Sequence, residues 1–149
     1  LCAVDFEKRK LYFAGAKNPL YLIRKKANFS PDILGDSFSV AEENEELVML
    51  QVKGDKHAIG YAFEDLKPFT HHELSLEEGD QVVIFTDGYA DQFGGEKGKK
   101  YNYRRFRKYL LAGYDKSMAE QHESLSKEFD RWSGDNEQID DVLVVSVRF

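Results

Sequence analysis

Acidic residues stand at the ends of the two most apolar segments of the sequence. Asp87 follows residues 82–85, and Asp140 and Asp141 precede residues 142–147. We predict that these segments are antiparallel neighbours, so that the acidic ends lie side by side, because adjacent strands are about 4.8 Å apart. In a parallel pair the same ends would be separated by roughly 17–20 Å. Converging carboxylates favour a hard divalent cation such as Mg²⁺, which takes oxygen ligands and retains several waters.

Gly88 comes directly after Asp87. A glycine at this position permits a sharp turn and leaves space for an ion and its waters. The same residues also have a simpler interpretation. Asp-Gly is a common turn, and paired aspartates before a strand are common at a solvated sheet edge. The residues alone leave both interpretations open.

Other catalytic chemistries lack their motifs. The sequence has no phosphate-binding Gly-x-x-x-x-Gly-Lys-Ser/Thr loop and no Gly-x-Ser-x-Gly nucleophile turn. The residues that could bind zinc do not have zinc-ligand spacing. These are His57, His71, His72, His122 and Cys2.

The composition is that of one acidic globular domain. The chain has 149 residues, of which 42% are hydrophobic, and a formal net charge of -6. This charge disfavours nonspecific binding to nucleic acid or to anionic membranes. No apolar run approaches the about 20 residues of a membrane helix, so we expect no direct membrane insertion. A single cysteine fits a reducing compartment. We therefore expect a cytoplasmic domain, either free or attached to a membrane-anchored sensor.

The first two thirds of the chain are predicted to be mostly strands. Apolar segments separated by polar turns indicate a first hairpin and then further strands. We predict strands at 1–4, 11–14, 21–24, 47–52, 70–74 and 82–85. Residues 25–46 are polar and irregular, and they are predicted to form a loop.

The last third is predicted to be two helices and a strand. Asn102 caps the first helix, which ends at Gly113. Ser117 and Glu120 have the spacing of a capping box, and Gly134 ends the second helix. Residues 142–147 show almost no polar alternation, which predicts a strand covered on both faces. The predicted fold class is α/β (α+β), with an antiparallel sheet and helices packed against it.

Four segments occur in the order and spacing of a known family. They are LYFAGAKNPLYLIR, AIG, LEEGDQVVIFTDGYADQFGG and IDDVLVVSVRF. Together they resemble the SpoIIE-like branch of the metal-dependent protein phosphatases (the PPM, or protein phosphatase type 2C, superfamily). The resemblance extends over the whole chain, 1–149.

This resemblance implies a fold and a reaction. The fold is an α-β-β-α sandwich with antiparallel sheets, of which this chain is the C-terminal part. The reaction is hydrolysis of phosphoserine or phosphothreonine in proteins by a water held between two Mn²⁺ or Mg²⁺ ions. Asp87 and Asp140 correspond to metal-ligating, catalytic aspartates. Asp141 stands where related phosphatases have aspartate or asparagine, and we expect it to contribute to metal binding.

The sequence departs from the family in one important respect. The family supplies further metal ligands from an upstream Gly-Asp segment, and the chain begins at Leu1 without it. Gly35 and Asp36 imitate this motif but lie on the wrong side of the AGAKNP segment, so we interpret them as unrelated. We therefore expect a domain truncated at its N-terminus, with weak or no activity and with exposed sheet edges that favour pairing between copies.

A cluster of basic residues follows the Asp-Gly motif. It comprises Lys97, Lys99, Lys100, Arg104 and Arg105. Lysine and arginine pair well with phosphate, so the cluster is consistent with a docking surface for a phosphoprotein. A solvated loop that leads into a helix explains it equally simply, and we favour that interpretation.

Two functions from different classes follow. The first is a phosphoprotein phosphatase domain, with a phosphorylated protein as substrate and an upstream sensor or regulatory domain in the same bacterial signalling protein. The alternative is a noncatalytic phosphatase-like module that regulates or binds a partner. An upstream Gly-Asp segment would favour the enzyme.

Overall fold

The computed structural model describes residues 1–33, 36–60 and 67–149. Within these residues, ten strands and three α-helices are present, together with short 3₁₀ turns at Lys26–Asn28 and Pro31–Ile33. The strands are β1 (Cys2–Asp5), β2 (Lys10–Phe13), β3 (Leu20–Lys25), β4 (Phe38–Glu43), β5 (Leu47–Val52), β6 (His72–Ser75), β7 (Gln81–Phe85), β8 (Phe93–Gly94), β9 (Lys99–Lys100) and β10 (Val144–Arg148). The helices are α1 (Gly88–Asp91), α2 (Tyr103–Ala112) and α3 (Met118–Ser133).

The larger sheet has five strands in the order β10-β7-β3-β5-β4, and every neighbouring pair is antiparallel. Strand β3 lies at its centre and is buried on both faces. Its alternate residues Leu20 and Leu22 face one layer of the core, and Tyr21 and Ile23 face the other. Strand β3 shows no alternation of apolar and polar residues because both of its faces are covered by the hydrophobic core.

The smaller sheet has the order β1-β2-β6 and packs against one face of the larger sheet. Strands β1 and β2 form the predicted antiparallel hairpin, in which Cys2 is opposite Phe13. The core between the two sheets contains aliphatic residues from both. Its fully buried members are Leu11, Leu20, Leu22, Leu50 and Val52.

Helices α2 and α3 cover the other face of the larger sheet. The Asn102 side chain accepts a hydrogen bond from the Arg105 backbone N–H at the start of α2, and Ser117 and Glu120 form the predicted capping box of α3. Phe106 of α2 is fully buried against the sheet. Within the described residues, no helix has the length and apolar character needed to cross a membrane.

These layers of helix, sheet and sheet confirm the predicted α/β fold class with antiparallel sheets and flanking helices. Two details of the prediction were wrong. Residues 25–46 are not entirely loop, because Phe38–Glu43 forms an edge strand beside β5. Strand β10 is covered on one face only, because Val145 and Val147 on its other face are 40% and 42% exposed. It also lies at the edge of the larger sheet.

Candidate functional site

The pairing of β7 with β10 brings the predicted acidic residues to one end of the larger sheet. The two strands are antiparallel neighbours, with Phe85 opposite Val144. Asp87 follows the C-terminal end of β7, and Asp140 and Asp141 precede the N-terminal end of β10. The predicted antiparallel arrangement is therefore confirmed, and these three residues form what we call the acidic edge.

Thr86 fastens the two sides of the acidic edge to each other. Its backbone N–H donates to the Leu143 carbonyl over 3.0 Å, and its hydroxyl donates to the Asp141 carbonyl over 2.7 Å. The same hydroxyl accepts a hydrogen bond from the Leu143 N–H at 2.9 Å. Two donated hydrogen bonds and one accepted hydrogen bond of Thr86 thus hold the backbone of Asp141 and Leu143 beside the end of β7. The Asp141 side chain is solvent-exposed.

A glycine is required at position 88 because the start of α1 and the Asp140–Asp141 segment approach each other closely there. A Cβ atom at this position would lie 2.5 Å from the Asp141 carbonyl oxygen and 3.2 Å from that of Asp140. Sequence reasoning assigned this space to an ion and its waters, but the backbone of Asp140 and Asp141 fills it. The absence of a side chain at Gly88 is therefore what permits the two acidic segments to meet.

Two further residues lie near Asp87 that the sequence did not predict to belong to the site. The Asp91 N–H donates to the Asp87 carbonyl over 2.9 Å, so that one turn of α1 separates the two aspartates. The half-buried Tyr103 lies close to both. Burial, reinforced by the negative charges of Asp87 and Asp91, raises the pKa of Tyr103 to about 12. The spacing of four residues between Asp87 and Asp91 was a signal that could have identified Asp91.

The carboxylates of the acidic edge are not neutralised by the described residues. No ion pair to Asp87, Asp140 or Asp141 occurs in these parts of the chain. One oxygen of Asp140 accepts the Asp141 N–H at 2.7 Å. These oxygen donors are of the type that Mg²⁺ and Mn²⁺ prefer. They form a partial ligand set, since no group of three or more possible metal ligands is assembled within 1–33, 36–60 and 67–149.

Asp36, which together with Gly35 resembles the upstream Gly-Asp motif of the family, does not lie at the acidic edge. Gly35 falls outside the described residues. Asp36 is exposed and precedes β4, at the same end of the larger sheet as Asp87. Three strand spacings, or about 14 Å, separate β4 from β7 in the strand order. This placement supports the interpretation that Asp36 does not belong with Asp87.

The basic cluster is divided among different environments. Arg105 stacks on Trp132, with its guanidinium carbon 4.1 Å from the ring centroid. Lys100 forms an ion pair of 2.9 Å with Asp91. The other members, Lys97, Lys99 and Arg104, are exposed. All five residues are exposed, and Lys100 and Arg105 in addition contact other side chains of the protein.

The family description "Stage II sporulation protein E (SpoIIE)" matches the chain over residues 1–149. The chain belongs to the SpoIIE family. Two solved structures from this group of phosphatases have the same fold. The SiaA-PP2C domain of Pseudomonas aeruginosa is 29% identical with a TM-score of 0.72, and the match covers 98% of this chain and 49% of that one.

The second structure is the phosphatase domain of the cell fate determinant SpoIIE from Bacillus subtilis, presoaked with Mn. It is 19% identical with a TM-score of 0.56, and the match covers 99% of this chain and 54% of that one. A search of curated proteins gave no match. This SpoIIE-family chain therefore spans about half the length of the solved structures that it resembles, and its fold places it in the SpoIIE-like branch of the PPM phosphatases.

Proposed function

We propose that the chain is part of a metal-dependent phosphoserine/phosphothreonine protein phosphatase of a bacterial signalling system. The observation that carries this proposal is the acidic edge, because in a SpoIIE-family chain Asp87 and the Asp140–Asp141 pair meet at the ends of adjacent antiparallel strands. A phosphorylated protein is the proposed substrate. Catalytic roles are assigned to Asp87 and Asp140.

Mn²⁺ or Mg²⁺ would be held by Asp87 and Asp140, with a contribution from Asp141. When bound, such ions lower the pKa of a coordinated water and offset the negative charge of phosphoryl oxygens. The chain's own contribution is to hold like charges together. Thr86 and Gly88 fix the backbone of Asp141 against the end of β7, so the two segments that carry the acidic residues are held together without a cation.

The remaining ligands are proposed to come from the rest of the phosphatase domain. The chain corresponds to about half of the two related structures, covering 49% and 54% of them. We assign it to the C-terminal part of the domain, with an upstream Gly-Asp segment completing a site for two ions. An upstream sensor or regulatory domain and a cytoplasmic location belong to the same proposal. By itself, the 149-residue chain would have weak activity or none, with free sheet edges that favour self-association.

A second candidate function is a noncatalytic phosphatase-like module that binds or regulates a partner. One observation favours it: the described residues do not assemble three or more possible metal ligands. On this proposal Asp87 and Asp140 would serve only to shape the surface, and divalent cations would have no effect on the protein's behaviour.

The deciding experiment measures release of phosphate from a phosphoserine peptide by the full-length protein. Mn²⁺-dependent turnover that is abolished by a chelator is expected for the phosphatase. Calorimetric titration of Mn²⁺ into the full-length protein and into residues 1–149 is the matched comparison, and we expect much weaker binding by the shorter chain. Absence of both turnover and Mn²⁺ binding in the full-length protein would favour the noncatalytic module.

A further inference from the structure

The β8–β9 hairpin next to the acidic edge is held firmly against the end of α3. Gly94 has no space for a side chain, since a Cβ there would lie 1.8 Å from the Trp132 carbonyl oxygen. The Gly95 N–H donates to that same oxygen over 2.9 Å, and the Trp132 indole N–H donates to the Gln92 carbonyl over 3.0 Å. The position of the hairpin is therefore set by backbone and Trp132 contacts rather than by its lysines.

The two lysines of β9 have different surroundings. Successive side chains of a strand point to opposite sides, so Lys99 and Lys100 face away from each other. The Lys100 ammonium lies 2.9 Å from the Asp91 carboxylate and 5.9 Å from the centre of the Phe93 ring. Lys99 forms no ion pair within the described residues. Lys100 is therefore paired with the aspartate one helical turn from Asp87, whereas Lys99 lies on the opposite side of the strand.

A phosphorylated substrate needs positive charge at this edge. Its phosphoryl group is dianionic near neutral pH, and Asp87, Asp140 and Asp141 repel it wherever bound cations do not compensate. An ammonium group has three N–H donors and pairs strongly with phosphate oxygens. Lys100 directs one of these donors to Asp91, which leaves donors for a second anion.

We propose that Lys100 is a specificity-determining residue that binds the phosphoryl group of the substrate, with Asp91 holding its ammonium group ready in the free protein. The inference rests on the proposed phosphatase function and adds a substrate contact to it. The Lys100–Asp91 pair is suited to this exchange because both side chains are partly exposed, at 48% and 35%. Exposed pairs of this kind contribute little to stability, so Lys100 can exchange its pairing with Asp91 for one with phosphate at a small cost.

The test compares Lys100→Gln with Lys99→Gln in the full-length protein. Each variant removes one positive charge from the same two-residue strand, so the pair is matched in chemistry and in net charge. For Lys100→Gln we expect KM for a phosphoserine peptide and the inhibition constant of inorganic phosphate both to rise about fivefold to tenfold, with kcat within about twofold. Lys99→Gln should leave all three quantities unchanged, and Lys100→Arg should restore most of the affinity.

Asp91→Asn separates phosphate binding from a purely structural role. If Lys100 binds phosphate in exchange for Asp91, removing the Asp91 charge frees the ammonium and lowers the inhibition constant of phosphate. If the pair only braces the hairpin, Lys100→Gln and Asp91→Asn alter stability alike and leave that constant unchanged, which would overturn the proposal.

Calorimetric titration with inorganic phosphate gives a readout that does not need turnover. Equal phosphate affinity in Lys100→Gln and Lys99→Gln would refute the role of Lys100 even in an active enzyme. A wild-type protein that hydrolyses no phosphopeptide would refute the phosphatase function instead, whatever the two variants bind.

Discussion

Two aspartates flank strand β7, and their surroundings differ at every level. Asp80, at the N-terminal end, is only 1% exposed and accepts hydrogen bonds from Arg24 at 2.9 Å and 2.5 Å. It also accepts the Glu77 N–H at 2.8 Å. Asp87, at the C-terminal end, is partly exposed and makes no side-chain capping bond to α1.

The same residue type is therefore neutralised and buried at one end of the strand, and left partly exposed without an ion pair in the described residues at the other, where we propose that it binds a metal ion. The negative charge of Asp80 is fully used by Arg24, whose pKa is raised mainly by the hydrogen bonds to Asp80. The negative charge of Asp87 has no ion pair in the described residues, and Asp140 and Asp141 lie at the same end of the sheet. A carboxylate that the protein does not neutralise is available to bind a cation from solution.

The largest effect is expected at the Asp80 end. Asp80→Asn leaves the buried Arg24 charge without a counterion, and breaking such a pair costs about 3–5 kcal/mol. Urea denaturation measures this loss. Glu43→Gln is the control, because it removes the exposed Lys26–Glu43 pair and should cost less than about 1 kcal/mol. Similar losses in the two variants would mean that burial does not distinguish these ion pairs.

The next effect is expected at the Asp87 end, in rate rather than in stability. Asp87→Asn in the full-length protein should reduce Mn²⁺-dependent hydrolysis of a phosphoserine peptide about 100-fold, because a charged oxygen ligand is lost. Asp140→Asn should behave in the same way and Asp141→Asn less severely. A thermal melt in chelator should show unchanged or slightly higher stability, since repulsion between like charges is relieved. Full activity in Asp87→Asn would show that the site lies elsewhere.

A smaller and mixed effect is expected at Gly88, where the two sides of the acidic edge touch. In Gly88→Ala the new Cβ overlaps the Asp141 carbonyl, which should destabilise the fold by about 1–3 kcal/mol and weaken Mn²⁺ binding. Gly113→Ala is the matched control, because its Cβ would meet nothing nearer than 3.5 Å. The comparison is made by denaturation and by calorimetric titration with Mn²⁺. Unchanged Mn²⁺ affinity in Gly88→Ala would separate this contact from the site.

The smallest effect is expected at Asp36, on the far edge of the larger sheet. Asp36→Asn should change stability by less than about 0.5 kcal/mol, since its described contact with Lys53 uses the backbone carbonyl. Phosphatase activity should also stay at the wild-type level. A loss as large as that of Asp87→Asn, measured in the same peptide assay, would place Asp36 in the site.

Local sequence signals determined much of this fold and of the acidic edge. The Ser117–Glu120 capping box and the Asn102 cap act within one turn of helix, so the sequence predicts them directly. Residues 82–85 are apolar throughout, so the sequence indicates strand β7 without knowledge of its neighbours in the sheet. The Asp-Gly after it, with the Asp-Asp before β10, was sufficient to predict an antiparallel pair with acids at one end.

Only the tertiary structure decided which strands lie at an edge and which side chains meet. Strand β4 was missed because its polar residues are tolerated at the edge of the sheet, and β10 was placed in the interior because an apolar sequence does not reveal whether a neighbour covers it. The role of Gly88 depends on the Asp141 backbone, which is distant in sequence. Lys100 meets Asp91 because Trp132 of α3 holds the hairpin beside α1. Contacts of this kind depend on how separate elements pack, and no local pattern encodes them.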